Sequence, residues 1–195
     1  MEYPLNVTFK LFTLAPQIIV TDANQETVCF VKQKMFRLKE AINVFSDKKR
    51  QNPLCEIKAD RIIDFSAKYT FTDNSGESFG AVRRKGMRSI WKAHYELMDE
   101  NDQIFGVINE ENPWSKVADS FFGEIPVLGA FSGYVFHPKY VLKNQSDQVI
   151  IRLSKLPAFF EGKYKIEKHL DMDPVDELRS LIGFLMMILL ESRRG

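Results

Sequence analysis

The sequence predicts a mainly β protein: a closed antiparallel β-barrel of about twelve strands that encloses a hydrophobic C-terminal α-helix. Three observations support this fold class. Runs of β-branched and aromatic residues alternate with short polar turns along most of the 195-residue chain. One hairpin unit recurs five times. Finally, residues 181–190 are apolar on every face of a helix, and such a helix has to be buried all round.

The hairpin unit consists of a short strand, an Asp or Asn, a few polar residues and a second strand. Asp and Asn suit this position because their side chains accept hydrogen bonds from turn N–H groups and they tolerate unusual φ values. The first four acidic positions are separated by 25, 26 and 26 residues. The turn positions are Asp22, Asp47, Asp73, Asp99 and Asn144.

The five hairpins, which span residues 18–153, supply about ten strands, and an antiparallel sheet of that size tends to close or split. Val7–Phe12 and Tyr134–Phe136 are candidates for further strands. The rhythm breaks between residues 110 and 133, where Asn112–Phe122 is compatible with a short helix that has Pro113 near its start. We therefore expect a single domain over residues 1–195.

The central helix is predicted over residues 173–193. Asp173 is a good N-cap and Pro174 suits the first helical position. Acidic residues in the first turn, and Arg193 and Arg194 at the other end, complement the helix dipole. The apolar stretch of ten residues is too short for a membrane span, which needs about 20 apolar residues. The inside of the barrel is the natural place for it.

Composition excludes several function classes. A formal net charge of +1 argues against a nucleic-acid protein that works through overall basicity, so no nucleic-acid partner is expected. The N-terminus lacks the basic and apolar regions of an export signal. Cys29 and Cys55 sit in strand-like runs and are expected to be reduced, packed thiols. These features favour a cytoplasmic protein, with peripheral membrane association as a further option.

The densest basic run covers residues 83–92 and is the candidate binding site. Its cations are suited to phosphate recognition, which uses Arg forks and Lys point charges. The alternative is a solvated connection with ordinary surface cations. A second basic segment, Lys48–Arg50, is interpreted as a polar hairpin tip. The candidate residues for anion or lipid-headgroup binding are Arg83, Arg84, Lys85, Arg88 and Lys92.

Nothing in the sequence favours catalysis. There is no nucleophile elbow, phosphate-binding glycine loop or zinc-binding helix pattern. His94, His137 and His169 have no second ligand at a spacing typical of a metal site, and His94 and His137 are interpreted as structural. We therefore predict no catalytic residues, no metal and no cofactor.

The ordered hairpins carry a family resemblance. Phe30–Lys39 followed by Ile42–Asp47 resembles the opening of the LURP-one-related proteins, which belong to the tubby C-terminal-like superfamily with the phospholipid scramblases. The likeness continues to the apolar C-terminal helix and covers roughly residues 28–192. It implies a barrel of about twelve strands around a central helix. Residues 1–27 lie outside it, and Val7–Phe12 and Ile18–Thr21 are interpreted as extra or first strands.

Three functions remain open at this point. The first is a non-catalytic binding module that recognises anionic lipid headgroups or other phosphate ligands, as the resemblance implies for tubby domains. The second is a protein-interaction or stress-response scaffold, which an exposed apolar patch would favour. The third is an undetected enzyme, which a deep polar pocket with converging His, Asp or Glu would favour.

Overall fold

A computed structural model describes residues 1–10, 16–32, 41–60, 67–85, 93–111, 138–158 and 161–192. These residues form twelve β-strands and one α-helix, α1 (Pro174–Glu191). The strands are β1 (Leu5–Lys10), β2 (Gln17–Thr21), β3 (Thr27–Lys32), β4 (Ile42–Phe45), β5 (Pro53–Ala59), β6 (Lys68–Thr72), β7 (Ser78–Arg84), β8 (His94–Met98), β9 (Ile104–Glu110), β10 (Lys139–Lys143), β11 (Val149–Leu156) and β12 (Gly162–Lys168).

Consecutive strands pair antiparallel all the way round, and β1 pairs with β12 to close the barrel. Leu5 lies opposite Ile166 in that closing pair. The predicted closed barrel of about twelve strands is therefore confirmed. The sequence analysis did not identify β12, although Tyr164 and Ile166 alternate there with charged residues. The predicted strand Tyr134–Phe136 and the short helix at Asn112–Phe122 lie outside the described residues.

The five predicted hairpin turns share one hydrogen-bonding pattern. In each, the Asp or Asn side chain accepts hydrogen bonds from at least two backbone N–H groups further along the turn. At Asp99, these donors are Asn101 at 2.9 Å and Gln103 at 2.8 Å. The third residue after the Asp or Asn adopts a positive φ of 61° to 89°, as expected where a type I turn is followed by a bulge. These residues are Gln25, Arg50, Gly76, Asp102 and Asp147.

The antiparallel topology places these five turns at the same end of the barrel, which we call the turn end. The chain also enters α1 from this end, because β12 runs towards it. The remaining connections between strands begin and end at the opposite rim, which we call the connection end. The turn end is therefore the end at which all five Asp and Asn hairpin turns lie.

Helix α1 fills the barrel. Asp173 caps it by accepting a hydrogen bond from the N–H of Val175 at 2.8 Å, and Pro174 occupies the first position. Every residue from Ser180 to Leu190 is buried. The prediction of a C-terminal helix that is enclosed on all sides is therefore confirmed. Arg193 and Arg194 lie outside the described residues.

The helix runs closest to β7 and β8, and a glycine allows this approach. A Cβ at Gly183 would overlap a methyl group of Leu97, which is fully buried on β8. Opposite Leu97 on β9 lies Gly106, where a Cβ would come within 2.8 Å of the Leu142 side chain. The close packing of the helix against β8 therefore depends on Gly183, and packing within the wall between β9 and β10 depends on Gly106.

Polar contacts tie both ends of α1 to the barrel. At the turn end, buried Arg179 pairs with Glu100 and Asp176 and donates to the carbonyl of Phe79. At the connection end, the Tyr95 hydroxyl donates to the Glu191 carboxylate at 2.6 Å. The apolar middle of the helix is thus bracketed by charged contacts at both ends of the lumen.

Cys29 and Cys55 are both buried and unbridged, as predicted. Burial raises the pKa of the Cys55 thiol to about 12 and raises the pKa of Cys29 further. Thiolates are the reactive form of cysteine, so both side chains are expected to be inert to alkylating reagents. In the part of the chain that is described, no helix is both long and apolar enough to cross a bilayer.

Removal of residues 173–195 should make soluble, cooperatively folding protein unobtainable, because it empties the core of the barrel. Leu185→Asp should have the same effect, since this side chain is fully enclosed. Val175→Asp is the matched control in the first turn, where Val175 is 45% exposed, and should fold normally. Gel filtration and thermal melting test this, and a monomeric truncation that melts cooperatively would refute the central role of the helix.

Candidate functional site

The basic run that begins at Arg83 is divided between the two faces of the barrel wall. Side chains alternate between faces along a strand, so Arg83 points outwards whereas Arg84 points into the lumen. Lys85 follows the strand and again lies on the outer side, where it contacts Glu96. Arg88 and Lys92, the other two candidates, lie outside the described residues.

Arg83, Lys85 and Glu96 form a cluster on the outer face, which we call the rim cluster. Glu96 lies opposite Arg83 on the neighbouring strand β8. Arg83 donates to Oε2 of Glu96 through Nε at 3.0 Å and Nη2 at 2.7 Å. Lys85 Nζ donates to Oε1 at 2.7 Å. Both oxygens of the carboxylate therefore accept hydrogen bonds, while the side chains of Arg83 and Lys85 remain 39% and 50% exposed.

The charge of the rim cluster follows from the pKa of Glu96. Burial on its own would raise this pKa, but the hydrogen bonds from Lys85 and Arg83 and their positive charges outweigh it and hold the pKa below its usual value. Glu96 is thus ionised at neutral pH. Two cations around one carboxylate leave the cluster with one excess positive charge on the exposed side.

Arg84 has a different environment. Its side chain is only 9% exposed and its Nη2 lies 3.8 Å from Oε1 of Glu191, at the end of α1. The Tyr95 hydroxyl donates to the same carboxylate oxygen. Arg84 therefore faces the end of the central helix. Of the predicted site residues that the structure describes, Arg83 and Lys85 lie together on the outer face, whereas Arg84 points into the lumen.

The turn end of the barrel is strongly acidic. Its turns and the start of α1 carry the carboxylates of Glu2, Asp22, Glu26, Asp47, Asp73, Glu77, Asp99, Glu100, Asp102, Asp147, Asp171, Asp173 and Asp176. Basic residues within these turns are confined to Lys48, Lys49 and Arg50, which do form a polar hairpin tip. Lys143, Lys168 and Arg179 lie nearby and pair with carboxylates of this end.

The connection end carries the opposite balance. The basic residues at or beside its strand ends, among those described, are Lys10, Lys32, Lys68, Arg83, Arg84, Lys85, Lys139, Lys155 and Lys163. Of these, Lys68 reaches Asp102 of a turn-end hairpin at 2.5 Å, so its charge is partnered with that end. The described carboxylates there are Asp60, Glu96 of the rim cluster, Glu110, Glu111, Glu161 and Glu191. The described residues therefore carry opposite charge balances at the two ends of the barrel, which the formal net charge of +1 for the chain does not reveal.

Two of the three histidines have identifiable partners. His94 Nδ1 lies 2.7 Å from Oδ1 of Asn109 on the next strand. His169 Nε2 lies 3.4 Å from Nη1 of Arg152. His137 lies outside the described residues. No group of three or more His, Cys, Asp or Glu side chains is placed to hold a metal ion within the described ranges.

Sequence reasoning did not identify Glu96 as part of the site. It was included in the hairpin that precedes Asp99, with no role of its own. The available signal was a charged residue between the apolar positions Tyr95 and Leu97, which places its side chain on the outer face. Its pairing with Arg83 depends on the register between β7 and β8, which the sequence pattern does not specify.

Comparison with known proteins identifies related sequences and folds. The family model described as LURP-one-related matches residues 27–126. No curated protein matches the sequence. A crystal structure of a protein from Arabidopsis thaliana aligns with 95% of this chain and 91% of its own chain, at a TM-score of 0.32 and 11% sequence identity.

Replacement of Glu96 by Gln should destabilise the protein at neutral pH by about 1–3 kcal/mol, because Arg83 and Lys85 lose their shared acceptor charge. The folded-state pKa of Glu96 lies below the ordinary value of 4.5. The contribution of the Glu96 carboxylate to the free energy of unfolding is therefore complete above pH 4.5 and is lost as the pH falls through the folded-state pKa.

Urea unfolding of the parent protein and of the Glu96→Gln variant across pH 3–7 measures the difference between their free energies of unfolding. The stability gap between the parent and Glu96→Gln should narrow below about pH 4.5. Glu56→Gln is the matched control, because Glu56 pairs with a 60% exposed lysine, Lys58, and surface pairs contribute little. If the stability difference between the parent and Glu96→Gln stays constant over this pH range, the lowered pKa of Glu96 is contradicted.

Proposed function

Because the chain belongs to the LURP-one-related family, we propose that it is a non-catalytic binding module that recognises phosphate-bearing anions at the connection end of the barrel. The observation that carries this proposal is the charge asymmetry between the two ends. An anionic surface or ligand is attracted to the connection end and repelled by the carboxylates of the turn end. The charge asymmetry thus favours anion binding at the connection end over the turn end.

The rim cluster provides suitable chemistry for the contact. Glu96 occupies Nε and Nη2 of Arg83 and one N–H of Lys85. Nη1 of Arg83 has no hydrogen-bond partner among the described residues, and the Lys85 ammonium has further N–H groups to donate. Glu96 also orients both cations before a ligand arrives. A phosphate oxygen that approaches from solvent therefore meets preoriented donors with one excess positive charge.

Phosphate groups reach such a site either on a lipid headgroup or on a free molecule. The shared chemistry is that of a phosphate dianion or diester next to Arg83 and Lys85. Inorganic pyrophosphate represents the free source, and phosphatidylcholine vesicles with or without phosphatidic acid represent the lipid source. Binding to both probes indicates headgroup recognition without a need for a membrane, whereas binding to vesicles alone indicates that a surface is required.

A second candidate function is protein interaction, and one observation favours it. Among the described residues, three of the exposed large hydrophobic side chains lie at the turn end: Met1 at 43%, Leu170 at 40% and Val175 at 45%. Such a surface, surrounded by carboxylates, suits a basic apolar partner. The two functions use opposite ends, so Val175→Asp should weaken the second and leave phosphate binding unchanged.

Arg83→Gln and Lys85→Gln should each weaken binding to phosphatidic-acid vesicles about fivefold, as expected for the loss of one cation next to an anionic surface. Glu96→Gln should strengthen it, because the variant removes the carboxylate that competes for the same donors. Co-sedimentation at low and at physiological ionic strength measures these effects, and the binding should weaken with salt.

Lys49→Gln is the matched control, because it removes the same charge from an exposed position at the turn end. It should leave binding nearly unchanged, because this lysine lies far from the vesicle. If Lys49→Gln weakens binding as much as Arg83→Gln does, attraction is a property of the net charge and the rim cluster is not the site. If neither pyrophosphate nor the vesicles bind the parent protein at low salt, the proposed function is wrong.

A further inference from the structure

The end of the β11–β12 hairpin is an apolar tip on the connection end of the barrel. Leu156, the last residue of β11, is 36% exposed and lies opposite Lys163 of β12. Pro157 and Ala158 follow it and are also exposed. The other exposed large hydrophobic residues among those described lie at the turn end. Among the described residues, Leu156–Ala158 is therefore an apolar feature set apart on the basic end of the barrel.

Lysines surround this tip. Lys163 lies opposite Leu156, and Lys139 of β10 pairs with Ser154, on the same outer face as Leu156. Lys155 precedes Leu156 at the rim and starts from the other face of β11. All three lysines are exposed. Within the described part of the chain, none of them has a carboxylate at ion-pair distance. We call Leu156–Ala158 with Lys139, Lys155 and Lys163 the tip surface.

The neighbouring charges are already neutralised. Lys165 pairs with Glu167 at 2.7 Å, Arg152 pairs with Glu111 at 3.0 Å, and Glu161 lies 3.9 Å from Lys10. Glu111, Glu161 and Glu167 therefore each have a cationic partner outside the tip surface. The three lysines of the tip surface are left to contribute their full charge to whatever binds there.

We propose that the tip surface docks the barrel on an anionic lipid bilayer, with Leu156–Ala158 among the headgroups and the three lysines against the anionic lipids. Apolar residues bordered by lysines suit this interface, because the apolar groups leave water while the ammonium groups stay at the charged surface. The proposal extends the proposed function by naming a membrane as the source of the phosphate groups and a second contact region. Each lysine adds an attraction that is specific to anionic lipids.

Barrel length explains why the acidic turn end does not prevent docking. Strands β7 and β12 each have seven residues, which corresponds to about 23 Å along the strand at 3.3 Å per residue. With the usual barrel tilt of about 40°, the two ends are about 17 Å apart. This exceeds the Debye length of about 8 Å at physiological ionic strength, so the bilayer charge hardly reaches the turn end. The exposed Leu170 and Val175, in contrast, lie among carboxylates that an anionic bilayer would repel.

A fluorescent label at the tip tests the docking directly. Leu156→Cys can be labelled selectively with an environment-sensitive nitrobenzoxadiazole dye, because Cys29 and Cys55 are buried. Val175→Cys, on the turn end, is the matched control site with similar exposure. Phosphatidylcholine vesicles that contain phosphatidylserine should shift the emission of the label at residue 156 to the blue. Pure phosphatidylcholine should not, and the label at residue 175 should stay unchanged with both.

Loss of charge provides the second measurement. The double variant Lys155→Gln with Lys163→Gln should bind the phosphatidylserine-containing vesicles about thirtyfold more weakly, because it lacks two cations. The matched control is Lys48→Gln with Lys49→Gln in the hairpin tip of the turn end, which should not weaken it. Pyrophosphate binding through Arg83 and Lys85 should be unaffected by the changes at Lys155 and Lys163.

The outcomes separate this proposal from the proposed function. If the protein binds anionic vesicles but the label at residue 156 does not respond, or both labels respond equally, the docking proposal is overturned. If pyrophosphate binds and depends on Arg83 while vesicles do not bind, the proposed function survives and docking is wrong. If the label at residue 156 responds while the Arg83 and Lys85 variants bind normally, docking is supported and the rim cluster is not the site.

Discussion

The lumen of the barrel is the constraint on which the rest of the structure depends. Eight strands enclose a space that side chains alone can fill, and a barrel of twelve strands encloses a larger one. An apolar cavity of that size is costly unless something fills it. Helix α1 fills it with side chains buried on every face, and Gly183 lets it approach β8 closely. Barrel and helix therefore form one core and neither is complete alone.

The same topology separates the charges. Because the strands alternate in direction, the five hairpin turns with Asp22, Asp47, Asp73, Asp99 and Asn144 all fall at one end. The side chains that stabilise the hairpins thus also make that end acidic, and the cations near it balance only part of this charge. Local turn chemistry in this way produces a global electrostatic feature, which distinguishes the rim cluster and the tip surface from the remaining surface cations.

The parts of the structure that rest on local patterns could be predicted from the sequence. The five turns follow from Asp and Asn positions, and the enclosed helix follows from an apolar stretch with a capping Asp173. Contacts that depend on strand register could not be predicted. Arg83 and Arg84 are neighbours in a basic run, yet one binds Glu96 outside and the other faces Glu191 inside. Strand β12 was missed because its alternation occurs outside the hairpin repeat.

Native-state hydrogen exchange of the α1 amides tests the joint core most directly. If barrel and helix are one cooperative unit, the amides of residues 185–189 should exchange only through global unfolding. Their opening free energies and denaturant dependence should then match those of the β8 amides at Tyr95 and Leu97. Exchange of the helix amides at a clearly lower free energy, while β8 stays protected, would show that the helix leaves an intact barrel and would contradict the account.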